Sequence, residues 1–273
     1  MKKWCLCIWI VLCCFACNRK TNNKVVSIQE KENIISVEDS ILLSFQPNTP
    51  NNLPEQVIKR TSYLCSYNKE TRCANWSAWY LLREHTDGTY KKRFAYMEDE
   101  DTIENKQRLD DWDSLTTLIY DHGHLCPAGD NKWDIDARRE TFYLSNMCVQ
   151  NRRLNQETWE HLESRCRMWA KKFNGLYIVA GPIYYNNSLR KTGNNLIIPD
   201  AFYKVVFCVS DSSKSIGFIY LNADPIENDK MENHVVSIDS IEKITGIDFF
   251  HQLPDSIENI IESSSDIKQW RVY

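Results

Sequence analysis

Residues 120–163 decide how this chain reads: YDHGHLCPAGDNKW runs from Tyr120 to Trp133, and ETFYLSNMCVQNRRLNQETWEHLE runs from Glu140 to Glu163. His124 follows Asp121, His122 and Gly123, and a hydrophobic segment at 141–144, expected to be a buried strand, leads into Asn146. Leu154, Trp159, Leu162, Cys166 and Trp169 recur every three to five residues, which predicts a helix over 154–172 with one apolar face. Asn155 and Glu163 stand eight residues apart on it, about 80° around an α-helix, so both face one side. An Asn at a helix start also serves as an N-cap. A neutral histidine can take a proton from water near pH 7. A hard cation such as Mg²⁺ keeps several waters and asks for one or two protein oxygens, which an amide and a carboxylate supply.

Outward from this stretch, strand signals dominate. Residues 56–65, 76–82, 176–180, 195–199, 202–209 and 216–221 are short runs rich in aromatic and β-branched residues, bounded by polar turns such as Thr86-Asp87-Gly88-Thr89. Residues 237–245 read as a helix stopped by Gly246, and 254–273 as a polar terminal helix. Strands with helices grafted on give an α+β class.

Nine Trp and thirteen Tyr can fill a substantial core, and only eight Gly and eight Pro exclude collagen-like or low-complexity architecture. A net charge of -4 excludes a uniformly basic coat. The charge is uneven, however: residues 131–204 hold twelve Lys/Arg against seven Asp/Glu, while the flanks contain MEDEDTIE and DSIENIIESSSD. A local basic field of this kind gathers a polyanion without a high overall pI.

Met1-Lys2-Lys3 and the apolar run WCLCIWIVLCCFA form the charged start and short core of an export signal. The run is short of the roughly twenty residues of a spanning helix, so no transmembrane helix is expected after processing. Cys17 follows the small residue Ala16, which resembles a bacterial lipoprotein signal, with Cys14 where such signals usually carry leucine. The expected organisation is a signal over 1–17, a polar linker over 18–55, a folded domain over 56–255 and a polar tail over 256–273. The expected location is periplasmic or outer-membrane-associated, with a lipid on Cys17, or otherwise secreted. Beyond Cys17 there are six cysteines, which in an exported protein suggest disulfides. Cys65 and Cys73 bracket the polar loop SYNKETR and form the favoured pair. A Cys126–Cys148 bridge would clamp the segment around His124 if its strands are adjacent. No CxxC pair follows Cys17, so zinc finds no support.

The ordered set resembles the DNA/RNA non-specific endonuclease family, the ββα-metal (His-Me finger) nucleases. The family pattern is Asp-Arg-Gly-His, a hydrophobic segment ending in Asn, and Leu-Asn-x-Gly-x-Trp-x-x-Leu-Glu. It is matched here by Asp121-His122-Gly123-His124, Leu144-Ser145-Asn146 and Leu154-Asn155-Gln156-Glu157-Thr158-Trp159 with Leu162-Glu163. The likeness continues through Trp76-Ser77-Ala78-Trp79-Tyr80, Ala180-Gly181-Pro182-Ile183-Tyr184, Pro199-Asp200-Ala201-Phe202-Tyr203-Lys204 and Thr245-Gly246-Ile247-Asp248-Phe249-Phe250, over about residues 56–253.

This resemblance implies a central, mostly antiparallel sheet flanked by helices. It also implies an endonuclease that cuts DNA and RNA without sequence specificity, using Mg²⁺ with Mn²⁺ as a substitute. His124 would be the general base and Asn155 the direct metal ligand. Glu163 would hold metal-bound water, Asp121 would order that shell, and Asn146 would position the histidine or the substrate. Arg93 matches an upstream phosphate-contacting arginine. Three positions depart from the pattern: His122 replaces arginine, Val149 proline and Glu157 glycine. A neutral His122 in place of an arginine forfeits a charge-assisted hydrogen bond of about 1.5–3 kcal/mol. The same departures suit an alternative, a degenerate lipoprotein of this fold that binds nucleic acid with little or no cleavage.

Overall fold

A computed structural model describes residues 37–102, 104–113, 115, 119–185, 189–192, 194–210 and 214–271. The signal and lipid-attachment reading of 1–17 lies outside the described residues, as does the first part of the expected linker. In chain order the first elements are α1 (Val37–Ser44), β1 (Gln56–Lys59), β2 (Tyr63–Asn68), β3 (Cys73–Leu81), β4 (Tyr120–His124), α2 (Ile135–Glu140) and β5 (Met147–Asn151). Next come α3 (Arg152–Leu154), a π-helical turn at Asn155–Trp159, α4 (Glu160–Phe173), β6 (Leu176–Ile183), β7 (Arg190–Lys191) and β8 (Ile197–Ile198). The chain ends with β9 (Ala201–Phe207), β10 (Ser215–Leu221), β11 (Val235–Val236), α5 (Ile238–Thr245) and α6 (Asp255–Glu262).

Seven strands build one antiparallel sheet in the order β1-β2-β3-β6-β9-β10-β11. Every residue of β6 and β9 is buried, because LYIVAGPI and AFYKVVF are continuous apolar runs suited to a sheet covered on both faces. Successive side chains then point to opposite layers. Ile178, Phe202 and Val206 join Trp79 and Phe218 against Leu154, Trp159, Leu162 and Trp169 of the α3–α4 region. Tyr177, Val179, Tyr203 and Phe207 face the other way, toward Leu42, Ile238, Ile241, Phe249, Phe250 and Ile261. Each large side chain so buried contributes about 1.5–3 kcal/mol of transfer free energy. The result is a sheet between two helical layers, with α4 on one side and α1, α5 and α6 on the other.

The expected α+β class and central antiparallel sheet are present. α5 begins at Ser237, whose hydroxyl accepts the Ser240 N–H at 3.2 Å, and stops at Gly246. Gly246 has φ +72°, a left-handed conformation that only glycine adopts without strain. Residues 141–144 depart from expectation. They form turns rather than a strand, since Phe142 and Tyr143 donate their N–H groups back to Arg139 and Glu140 and Leu144–Asn146 closes as a 3₁₀ turn. Of residues 195–199, only β8 is extended, paired with β7. The packed chain also reaches beyond 56–255. Leu42 of α1 and Ile261 of α6 lie in the core, and Trp270 packs on Trp169 with ring centroids 4.9 Å apart.

The disulfide pairing corrects both expected bridges. Cys73 joins Cys148, while Cys65, Cys126, Cys166 and Cys208 are buried free thiols. Cys65 pairs across the sheet with Ser77, and Cys73 with Asn68, so the two are not cross-strand neighbours. Cys126 lies past the end of β4, where Gly123 faces Cys148. The bridge therefore ties β3 of the large sheet to β5, across 75 residues of sequence. Removing it as Cys73→Ala/Cys148→Ala should lower the unfolding free energy by about 2–4 kcal/mol, read from denaturant curves fitted with the slope left free, because the uncrosslinked unfolded chain exposes more surface.

Candidate active site

β4 and β5 form a separate two-stranded antiparallel ribbon in which Asp121 faces Gln150, His122 faces Val149 and His124 faces Met147. Gly123 fits because the Gln150 side chain occupies the place of a β-carbon there, with Gln150 Oε1 only 2.3 Å from where one would sit. The chain leaves β5 through Asn151, whose Oδ1 accepts the Arg153 and Leu154 N–H groups and caps the following helix. Asn151, not Asn155, is thus the helix cap. Asn155 opens the π turn. One extra residue in that turn offsets the helical phase by about 100°, bringing Asn155 and Glu163 from about 80° to roughly 20° of each other.

Asp121 organises the near end of this helix. Its Oδ1 accepts Arg152 Nε at 3.2 Å, and its Oδ2 accepts Asn155 Nδ2 at 3.1 Å and Gln156 Nε2 at 2.7 Å. Because the Asn155 amide donates to Asp121, its orientation is set and its Oδ1 is turned away, accepting no hydrogen bond among the described residues.

His122 lies between two aromatic rings, 4.0 Å from Tyr96 and 3.8 Å from Trp112, nearly parallel to both. Burial, outweighing the attraction of Asp121, pushes its pKa down to about 4. His124 packs edge-on against Phe142 at 5.1 Å. Its Nε2 is buried without a partner, which leaves Nδ1 as the ring nitrogen open to solvent. Burial first, then the charges of His122, Arg138 and Arg93, push His124 down to about 3. Both rings are therefore neutral at pH 7. Arg93 is exposed, makes no ion pair or hydrogen bond among the described residues, and lies near enough to act on both histidines.

Asn146 is fully buried. Its Oδ1 accepts the Cys126 N–H at 2.9 Å and the Ser77 hydroxyl at 3.2 Å, and its Nδ2 donates to the Cys126 and Thr141 carbonyls at 2.9 Å each. With its amide committed in this way it holds the loop behind His124, and nothing remains for a substrate. Glu163, farther along the helix, accepts no hydrogen bond among the described residues and lies 3.9 Å from the buried Lys204 Nζ. Burial pushes Glu163 up to about 7, against the opposing charges of Lys204 and Arg167. Lys204 Nζ in turn sits over Trp159 at 4.3 Å and Trp79 at 5.6 Å. Asp130 joins this wall, accepting Trp79 Nε1 at 3.0 Å and Arg167 Nη1 at 2.9 Å.

The structure thus brings Asp121, Asn155, His122, His124 and Arg93 around one ribbon and helix end, with Asn146 behind them and Glu163 one helical stretch away. Sequence reasoning missed Arg152, Gln156, Tyr96, Trp112, Asp130, Arg167 and Lys204. Arg167 had a signal, four residues after Glu163 on one helix face. Lys204 had another, a charge inside the apolar strand AFYKVVF. Tyr96 and Trp112 had none, because loops far apart in sequence deliver them. Of the departures, Val149 is a buried member of β5, and Glu157 is paired with Arg153 at 3.0 Å, so its added charge is locally offset.

Asn155 Oδ1 and the Glu163 carboxylate accept no hydrogen bond among the described residues, although Glu163 lies 3.9 Å from Lys204 Nζ, and as oxygen donors they fit a hard divalent cation rather than a thiophilic one.

The family model described as DNA/RNA non-specific endonuclease matches residues 43–256. Nuclease C1 of Cunninghamella echinulata var. echinulata is 30% identical over 231 residues, covering 79% of this chain and 89% of that protein. Mitochondrial endonuclease G of Homo sapiens is 27% identical over 225 residues, covering 78% and 73% respectively. A solved structure of an EndoG/EndoGI complex matches with a TM-score of 0.69 at 23% identity, over 79% of this chain and 92% of that chain, a likeness of fold.

The two depressed histidines give a direct test. Imidazole NMR signals of His122 and His124 in the free protein should stay flat from about pH 8 to about pH 5.5, a window above both depressed values. A midpoint near 6.5 for either ring would contradict the burial described.

Proposed function

The chain belongs to the DNA/RNA non-specific endonuclease family and is a nuclease, and from that premise we propose how it works. It hydrolyses phosphodiester bonds in both DNA and RNA with His124 as general base and one divalent cation, Mg²⁺ or in its place Mn²⁺, held by Asn155 and Glu163. The observation that carries this reading is the pairing of a neutral His124, with Nδ1 open, and an Asn155 oxygen turned outward by Asp121 on the same ribbon–helix unit.

His124 Nδ1 takes a proton from water as that oxygen bonds to phosphorus. The bond from phosphorus to the departing sugar oxygen breaks, and that oxygen collects a proton from solvent. A pKa near 3 makes His124 a weak base in the free enzyme. An incoming phosphodiester anion favours the imidazolium and raises its basicity when it is needed. Phe142 and the Asn146-held loop fix the ring against rotation, and Arg93 offers an uncommitted guanidinium to a phosphate oxygen. When bound, the cation supplies charge stabilisation at the phosphoryl and departing oxygens.

His122 is the weak point of the design. Its aromatic sandwich keeps it neutral, so it gives phosphate no positive charge above about pH 4. The same sandwich would accept an arginine, since a guanidinium stacks well on aromatic faces.

The export signal read at 1–17 and the Cys73–Cys148 bridge support action outside the cytoplasm, with Cys17 carrying a lipid. Cys17→Ser would then shift the enzyme from membrane to soluble fractions.

Cleavage of supercoiled plasmid and of RNA should require Mg²⁺ or Mn²⁺ and stop with EDTA. His124→Ala should slow both reactions by about 10²–10⁴-fold while thermal unfolding stays near wild type. A His124→Ala variant that cuts at the wild-type rate would falsify the base assignment. His122→Arg should raise kcat/KM by about ten- to a hundred-fold. A folded wild-type protein that shifts nucleic acid on a gel but yields no product with either metal would favour the binding-only alternative.

A further inference from the structure

Three carboxylates meet between α5 and α6, on the sheet face opposite the ribbon and α4. Asp239 and Glu242 stand one turn apart on α5 and Glu262 closes α6, and one oxygen from each lies within 4.8 Å of the others. Acidic surface clusters are common and carry little meaning alone. Glu262 distinguishes this one: it is only 7% exposed, and its Oε1 is buried with no hydrogen-bond partner. Leaving a carboxylate oxygen buried and unpaired is costly, so it calls for a proton or a cation.

The charged groups that weigh most on Glu262 are Glu242, Glu258, Asp239 and Asp248, all acidic. Those that bear on Glu242 are Asp248, Asp239 and Glu258. β10, packed beneath both helices, is SIGFIYL and has no charged side chain. Glu242 receives one donor, the Phe249 N–H at 2.7 Å on Oε1, which leaves its second oxygen unassigned. Burial, with mutual repulsion, pushes Glu262 up to about 8, and burial is also the main cause that pushes Glu242 up to about 7.

We propose that Asp239, Glu242 and Glu262 form a divalent-cation site, suited to calcium, that clamps α5 to α6 and is separate from the nuclease centre. Calcium fits because the donors are all oxygen and carboxylates can bind it through one or both atoms, with waters completing its flexible shell. Three carboxylates on two short helices make a modest site, in the class of extracellular modules with Kd on the order of 10⁻⁴–10⁻³ M. Separation from the nuclease centre follows from packing. Ile238, Ile241 and Ile261 enter the core shared with Tyr177 and Tyr203, whereas Leu154, Trp159 and Leu162 enter the other core. The ion would stabilise the fold without taking part in cleavage.

Thermal unfolding of the full chain tests this, first with EDTA and then with about 10 mM CaCl₂ near pH 7.5. Wild type should gain about 4 °C. Glu262→Gln has the shape of the protonated acid, so it should match or exceed wild type in EDTA and gain nothing from calcium. Asp239→Asn, at an exposed position, should weaken the calcium response about tenfold in concentration. Asn155→Ala, altered at the nuclease centre, should keep the full gain. Protons compete for the same oxygens, so the gain should vanish near pH 5.5, below both raised values. No gain in wild type, an equal gain in Glu262→Gln, loss of the gain in Asn155→Ala, or an undiminished gain near pH 5.5 would each overturn the proposal. None of these outcomes bears on whether the protein cuts nucleic acid, which the EDTA and His124→Ala comparisons decide separately.

Discussion

Asn146 buries its amide completely and commits it to Ser77, Cys126 and Thr141. Those partners belong to the central sheet, to the loop after β4 and to the turn after α2, so one side chain locks three parts of the chain. Its own carbonyl adds a second hold on the loop after β4 by accepting the Leu125 N–H at 3.0 Å. The ribbon of β4 and β5 has only two strands, and an isolated two-stranded ribbon is at best marginally stable. Its rigidity must come from outside. Asn146 supplies it at the His124 end and the Cys73–Cys148 bridge supplies it along β5. Without those anchors the distance between the histidine and the helix would not be fixed, and neither would the chemistry that depends on it.

The electrostatics of the free site follow from that burial. Enclosing His122 and His124 among aromatic rings removes their charge, and enclosing Glu163 raises its pKa to neutrality. Among the described residues Arg93 is meanwhile left without a counter-charge, and Asn155 keeps an unpaired oxygen. Three of these groups disfavour charge in the free protein, and the other two lack a partner among the described residues. In the proposed mechanism a cation and a phosphate anion entering together would correct both conditions: the cation would meet the oxygen donors, and the anion would meet Arg93 and stabilise a protonated imidazole. The site is thus organised for charge that arrives with the substrate, a preorganisation that costs nothing further at the moment of reaction.

Much of this could be read in the sequence, and the limits have physical causes. The strands β6, β9 and β10 announced themselves as apolar runs, and α5 by its glycine stop, because local chemistry decides those elements. The site residues on the ribbon and helix were legible because they fall within one stretch of chain. The strand expected at 141–144 was not there, since periodicity cannot distinguish a buried turn from a buried strand when both are apolar. Disulfide pairing depends on cross-strand register, which placed Cys65 opposite Ser77 rather than Cys73. The stacking of Tyr96 and Trp112 on His122 was equally invisible, because each ring comes from a loop whose position only the assembled fold determines.

The π turn shows how one local irregularity links these levels. A regular helix from Asn151 onward would have set Asn155 and Glu163 about 80° apart, and the π turn brings them closer in phase on the same face. π turns are rare and weaker than the α-helix around them, so this one needs support. Asp121 provides it by binding Arg152, Asn155 and Gln156 across the turn, while Trp159 buries its ring at the far end against Phe202 and Tyr220. Asp121 therefore acts twice, holding the irregular turn in place and pointing the Asn155 oxygen outward. An aspartate on the strand that carries His124 is thus as much a requirement of backbone geometry as of electrostatics.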